Sequence, residues 1–312
     1  MTLTQLSNFV RIAELQSLSK AAAVVRIAQP ALSRQVRQLE AELDAPLLVR
    51  HAWGVTLTAA GAALLTSARR LLREADGVKD TVHALATHPR GRLSLGVPAS
   101  VAASLLPPLA AALLHKYPDL EPHMVEGFSA ILQPRMLAGE LDMAVLYEDR
   151  NYGALAATPL LTERLMLVGP AGGHARGTTT AESLRGGVLL LPSRPNRLRL
   201  LVDDALAQQT AQEPKIVEVD SLSALLAMVE GGAGYTVLPY STVALEVERG
   251  VLSVWELEFP PLLRTLMLVR PTDRLSSAAN AAVEAEIYAL VNSVAPTLRW
   301  KPFSPEGELL AL

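Results

Sequence analysis

The hydrophobic positions change their period twice along this chain, and each change marks a structural division. From Thr4 to Gln16 the apolar residues Leu6, Phe9, Val10 and Ala13 recur at helical spacing until Ser17 to Ser19 interrupts them, which predicts a first helix. Ser19 then caps a short second helix, Lys20 to Val25, whose Ala21, Ala22 and Ala23 are small enough for another helix to cross closely. Arg26, Ile27 and Ala28 turn the chain into a third helix. Gln29 and Pro30 open it, with proline in the first turn where its missing N–H costs nothing, and it runs to about Leu43. Leu32, Val36, Leu39 and Leu43 form its inward stripe, which leaves Gln29, Ala31, Ser33, Arg34, Arg37 and Gln38 for other faces. The pattern is a helix-turn-helix with a polar, cationic outer face.

Leu47 to Arg50 and Val55 to Thr58 are short strand-like runs around His51, Ala52, Trp53 and Gly54, the pattern of a two-stranded wing. Thr58 caps a long helix in which Leu64, Ala68, Leu71, Ala75, Val78, Val82 and Leu85 hold one heptad seam. Two readings of that seam stand side by side: the helix lies on its own core, or it pairs with a second copy. Its length and the cations Arg69, Arg70, Arg73 and Lys79 favour pairing.

His88-Pro89-Arg90-Gly91 breaks the helical pattern, and strands then alternate with helices. Strands are expected at Leu93 to Val97, Leu120 to Glu126, Met143 to Tyr147, Leu165 to Val168, Val188 to Leu191, Ile216 to Val219 and Thr236 to Leu238. Helices are expected near 101–116, 129–138, 196–210, 221–230 and 276–294. No single sheet easily takes all of this, so two lobes are expected, with crossing strands near Leu160 and Leu266. The expected fold class is therefore α+β and multidomain. It comprises a winged helix-turn-helix over 1–58, a linker helix over 59–88, and a two-lobed α/β region over 89–312. The lobes are expected at about 92–161 plus 267–295 and at 162–266. The tail after Pro296, with Trp300, Pro302, Phe303 and Pro305, either latches onto the second region or frays.

Composition narrows the chemistry. The 312 residues include no cysteine, which excludes disulfides, thiolate zinc sites, iron–sulfur clusters and thiol redox sensing. The net charge of −3 is uneven. Residues 1–92 carry 12 Lys+Arg against 7 Asp+Glu, and the remainder carries 16 against 24, so the two parts stand at +5 and −8. The basic end suits a polyanion. The opening residues lack the features of a secretory signal, and the apolar run Val101 to Leu114 contains Pro107 and Pro108 and is short for a membrane span, so a cytoplasmic protein with no membrane partner is expected.

The segment SLSKAAAVVRIAQPALSRQVRQLEAELDAPLLVR, followed by GVTLTAAG, resembles the LysR-type transcriptional regulators across the whole first 65 residues. LAGELDMAVLY at 137–147, PLLTERLMLVG at 159–169 and GAGYTVLP at 232–239 are most similar to the branch of that family that controls nitrogen assimilation. The resemblance implies a sensor region with the fold of periplasmic solute-binding proteins and a homodimer, or dimer of dimers, that bends promoter DNA, with RNA polymerase as a further candidate partner. A dimer presents two recognition helices and so predicts an interrupted palindrome.

On this reading the third helix enters the major groove. Gln29 can pair with adenine, Ser33 accepts several partners, Arg34 and Arg37 take guanine or phosphate or else remain solvated surface, and Pro30 and Ala31 lie at the groove. Arg50 holds the wing backbone or reaches the minor groove. The wing carries Ala52-Trp53 where many relatives carry a cation, and Trp53 packs either on sugar edges or onto the core.

In the second region, helix openings at Ser100, at Gly127, Phe128 and Ser129, at Pro192, Ser193 and Arg194, and at Ser221 and Leu222 are candidates to line a cleft for a small anion or metabolite. Each serine reads equally as an ordinary cap, and the cleft reads equally as vestigial. No metal spacing, nucleophile elbow, Walker lysine or dinucleotide fingerprint is present among the six histidines, the serines and the glycine clusters, so neither a cofactor, a metal nor an enzyme is expected.

Overall fold

The computed structural model describes residues 1–84, 89–148, 152–172, 187–207, 214–257, 262–272 and 277–310. They form a chiefly N-terminal unit, which also takes in Leu137–Glu140, and a larger unit that begins at Pro89.

The N-terminal unit runs α1 (Leu3–Leu15), α2 (Leu18–Val25), α3 (Gln29–Glu42), β1 (Leu48–His51), β2 (Gly54–Leu57) and α4 (Ala59–Ala84). Thr2 and Gln5 form a reciprocal capping box on α1. Helix α2 begins earlier than the serine run suggests. Ser17, not Ser19, caps it by accepting from the Lys20 N–H at 3.3 Å, and Leu18 thereby joins the core. Arg26 ends α2 in the left-handed conformation, φ 55°, which supplies the turn. Ile12, Leu18, Ala21, Ala22, Leu32, Val36 and Val55 close the interior. Each of the isoleucine, leucine and valine side chains contributes about 1.5–3 kcal/mol by leaving water. Leu43 does not continue the stripe; it caps the end of α3 and is exposed. The wing is an antiparallel pair with His51 opposite Gly54. Gly54 sits at φ +148°, and a Cβ there would stand 2.5 Å from the Gln16 carbonyl oxygen, so the wing can pack against the end of α1 only with glycine at that point.

The larger unit continues with β3 (Gly91–Pro98), α5 (Ala99–Lys116), β4 (Leu120–Gly127), α6 (Ser129–Leu137), β5 (Met143–Tyr147), β6 (Leu155–Pro170), β7 (Val188–Leu191), α7 (Arg197–Ala207) and β8 (Lys215–Glu218). It ends with α8 (Leu222–Glu230), β9 (Thr236–Pro239), α9 (Tyr240–Glu248), β10 (Leu252–Trp255), β11 (Leu263–Pro271), α10 (Ala278–Leu298) and β12 (Lys301–Pro302). One sheet runs in the order β10-β6-β11-β5-β3-β4, with β9 and β12 also paired to β6, while β7 and β8 form a parallel pair. Strand β3 is parallel to β4 and β5, β11 runs antiparallel to β6, and the long β6 passes from the core of the first lobe into that of the second. The first lobe packs α5 and α10 on the sheet through residues such as Leu105, Leu109, Val283 and Ile287. The second gathers Leu167, Leu190, Val202, Leu225 and Val237.

Helix α5 runs unbroken through Pro107 and Pro108 and is long and apolar enough, by length and composition alone, to cross a membrane. Its Val101, Ala102, Leu105, Leu109 and Leu113 are buried in the core of the first lobe. The tail latches. Trp300 is 0 % exposed in that same core, and Lys301 and Pro302 pair with Thr162 and Leu161 of β6.

Candidate functional site

Helix α3 turns Leu32, Val36 and Leu39 inward and leaves Gln29, Pro30, Arg34 and Arg37 exposed, with Ala31 half-buried. Two amide pairs fix its rotation against α1: Asn8 Nδ2 donates to Gln35 Oε1 at 2.7 Å, and Gln5 Nε2 donates to Gln38 Oε1 at 3.0 Å. Ser33 does not share the outer face that its spacing from Gln29 and Arg37 predicts. It is only 8 % exposed, because its turn faces β1, and its Oγ accepts from Arg50 Nη2 at 3.1 Å. The wing's Arg50 remains exposed and lies beside α3. Trp53 is 85 % exposed, with its ring stacked on His51 at 5.4 Å, so it does not close the wing onto the core.

The seam of α4 divides. Ala68 is fully buried, and the half-buried Leu64 and Leu71 pack with it against Leu6 and Val10 of α1, so one side of this stretch is covered within its own unit. Ala75 is half-buried; the side chains of Val78 and Val82, and all of Leu85, lie outside the described residues.

The larger unit holds a cavity of about 240 Å³. Ser100, Phe128, Ser129, Pro192 and Leu222 line it, while Gly127, Ser193, Arg194 and Ser221 do not. The reason differs for each polar one. Ser221 caps α8, accepting from the Ala224 N–H at 3.3 Å; Ser193 donates its hydroxyl to Asp220; and Arg194 pairs with Asp203 at 2.6 Å. Ser129 accepts from the Tyr147 N–H at 3.2 Å.

Tyr147 and Arg264, which the sequence did not single out, also line the cavity. The Arg264 guanidinium lies 4.1 Å over the Tyr147 ring, and its Nη2 donates to Ser100 Oγ at 3.2 Å; Ser100 and Tyr147 join their hydroxyls in a hydrogen bond. Burial pushes the Tyr147 phenol up to about 12, against the opposing pull of the Arg264 charge. Behind the cavity wall Arg264 Nε meets Glu163 Oε1 at 2.7 Å, both side chains being buried. The other Glu163 oxygen accepts from Ser241 Oγ at 2.9 Å and from Trp300 Nε1 at 3.1 Å. Arg264 was missed because a cation inside an apolar strand gives no pattern; the signal available was the matching polar interruption, Thr162-Glu163-Arg164, in an otherwise apolar run. No cluster of side chains suited to a metal ion occurs among the described residues.

Comparison with known proteins places these features. Residues 3–62 match the model of the bacterial regulatory helix-turn-helix protein, lysR family, and residues 86–286 match the LysR substrate binding domain. The chain is 33 % identical over 305 residues to the nitrogen assimilation regulatory protein nac of Escherichia coli strain K12, covering 96 % of this chain and 99 % of that one. It is 37 % identical over 244 residues to nac of Klebsiella aerogenes, covering 77 % and 79 %. Among solved structures, full-length OxyR of Pseudomonas aeruginosa is similar with a TM-score of 0.73 at 27 % identity, covering 95 % of both chains. Full-length CbnR in complex with its target DNA shares the fold with a TM-score of 0.66 at 23 % identity, covering 94 % and 99 %.

Proposed function

The chain belongs to the LysR family of transcriptional regulators, and from that premise we propose that it binds an interrupted palindrome in promoter DNA through α3 and the wing. It is a DNA-binding regulator and not an enzyme. The observation that carries the reading is the exposed row Gln29, Arg34 and Arg37 on α3 with Arg50 beside it, presented by a helix whose opposite side is buried. Gln29 suits adenine, Arg34 suits guanine, and Arg37 and Arg50 suit phosphate; Pro30 and Ala31 give close approach, and Trp53 offers a flat apolar surface to the sugar edges. The regulator acts as a homodimer or dimer of dimers, with the α4 seam Leu64, Ala68, Leu71, Ala75, Val78, Val82 and Leu85 as its pairing surface. Similarity to two nitrogen assimilation regulators supports nitrogen or related metabolic control, and a promoter target supports a cytoplasmic location and RNA polymerase as a partner. The cavity suits a small metabolite held by Ser100, Ser129 and Tyr147 against Phe128, Pro192 and Leu222.

The test is selection of duplexes from a random pool by the full chain at moderate salt. We expect recovered sites with two half-sites about 34–36 Å apart or a multiple of that. Arg34→Ala should weaken the selected duplex about tenfold and flatten its preference over random DNA, whereas Arg70→Ala should leave the preference intact. Retention of no duplex above random DNA rejects the reading. Recovered operators that lie away from genes of nitrogen metabolism reject only the nitrogen assignment.

A further inference from the structure

We propose that Ser33 is a positioning residue for DNA recognition, its hydroxyl holding Arg50 of the wing beside α3 without itself meeting the duplex. The inference rests on the DNA-binding reading above. Ser33 is buried, so its hydroxyl is not presented to a groove, and that oxygen accepts from Arg50 Nη2 at 3.1 Å across 17 residues of sequence. Its carbonyl oxygen accepts from Arg37 Nε at 3.5 Å, one turn further along the helix. The Ser33 hydroxyl therefore orders the guanidinium that strand β1 of the wing supplies, while the backbone of the same turn meets Arg37, and both guanidiniums remain exposed.

The chemistry of the acceptor matters. A carboxylate in the place of Ser33 would orient Arg50 equally well but would cancel the charge that a phosphate needs, whereas a neutral hydroxyl orients without cancelling. Arg50 spends one Nη2 donor on Ser33 and keeps the donors of its other nitrogens for a phosphate fork. An arginine side chain loses up to about 2 kcal/mol of rotamer freedom when it is fixed, and holding it beforehand removes part of that cost from the binding step.

The experiment measures affinity of the full chain for the duplex that the wild type selects, over a series of salt concentrations, for Ser33→Ala, Ser33→Thr, Arg50→Ala and the double variant Ser33→Ala/Arg50→Ala. Ser33→Ala should bind about five- to tenfold more weakly, and Ser33→Thr, which keeps the hydroxyl, should bind within about twofold of wild type. Adding Ser33→Ala to Arg50→Ala should cost less than about twofold more, because the arginine to be positioned is already gone. The slope of log affinity against log salt should become shallower by about 0.9 in Arg50→Ala and by part of that in Ser33→Ala. Factors that multiply in the double variant mean that Ser33 touches DNA itself, and wild-type affinity in Ser33→Ala means that it positions nothing; either result overturns the proposal. A wild type that selects no duplex defeats the DNA-binding reading instead, and is distinguished by that earlier step.

Discussion

Arginine does opposite work in the two units. In the N-terminal unit Arg37 and Arg50 are steadied by the neutral oxygens of Ser33, Arg34 stands beside them, and all three guanidiniums face solvent with no carboxylate paired to them among the described residues. In the larger unit Arg264 is buried, its charge met by the equally buried Glu163 at 2.7 Å, and the carboxylate is completed by Ser241 and Trp300. An exposed guanidinium costs almost nothing to leave unpaired and so remains free for a polyanion. A buried one is stable only while its whole set of partners is in place. The lesson is that a segment's net charge matters less than how many of its cations lack a carboxylate.

The comparison breaks most decisively at Glu163. Glu163→Ala leaves Arg264 buried without a counter-charge and should cost about 3–5 kcal/mol in denaturant unfolding of the larger unit; a loss below about 1 kcal/mol would mean that Arg264 behaves as the surface arginines do. Trp300→Phe keeps the aromatic body and removes one donor from Glu163, so a smaller loss of about 1–2 kcal/mol is expected in the same measurement. Alkali sharpens the contrast further. The Tyr147 phenol is pushed up to about 12 from its ordinary 10.0, so the folded state holds that proton more tightly. Its contribution is fully present below pH 10 and is lost as pH rises through about 12, a decline that titration of phenolate absorbance alongside stability should detect and that Tyr147→Phe should abolish. The smallest effect falls in the N-terminal unit, where Thr58 Oγ1 accepts from the Gly61 N–H at 3.0 Å at the start of α4. Thr58→Ala should lower the thermal stability of that unit by about 1 kcal/mol without altering the larger unit.

Local periodicity made much of this architecture readable. The stripe Leu32, Val36 and Leu39, the wing strands and Met143–Tyr147 follow from spacing alone because each is decided by which side of one element is apolar. What spacing could not reveal depended on partners far away in sequence. Strand β6 was visible only as two pieces, a crossing strand near Leu160 and the run Leu165 to Val168, since Thr162-Glu163-Arg164 looks like an interruption until Arg264 is found opposite Glu163. Helix α9 and strand β10 are short, with weakly patterned residues, and were not expected. Ser33 looked outward because a helical wheel does not contain the wing, and the packing of Ala68 on Leu6 and Val10 was hidden because the wheel of α4 does not contain α1. In the cavity the serines at helix openings were conspicuous, but Tyr147 and Arg264 sit in apolar strands and became visible only when the two lobes were assembled.

Strand β6 and its neighbours also set an order of events during synthesis. The strands β7 to β10 of the second lobe, with the later half of β6, are complete once residue 255 has emerged from the ribosome. The first lobe starts earlier, at Gly91, yet must wait for β11, for α10 and finally for Trp300 before its interior is filled. The half that begins first is therefore the half that finishes last, and until Trp300 arrives its open apolar sheet is a stretch of nascent chain in need of shelter.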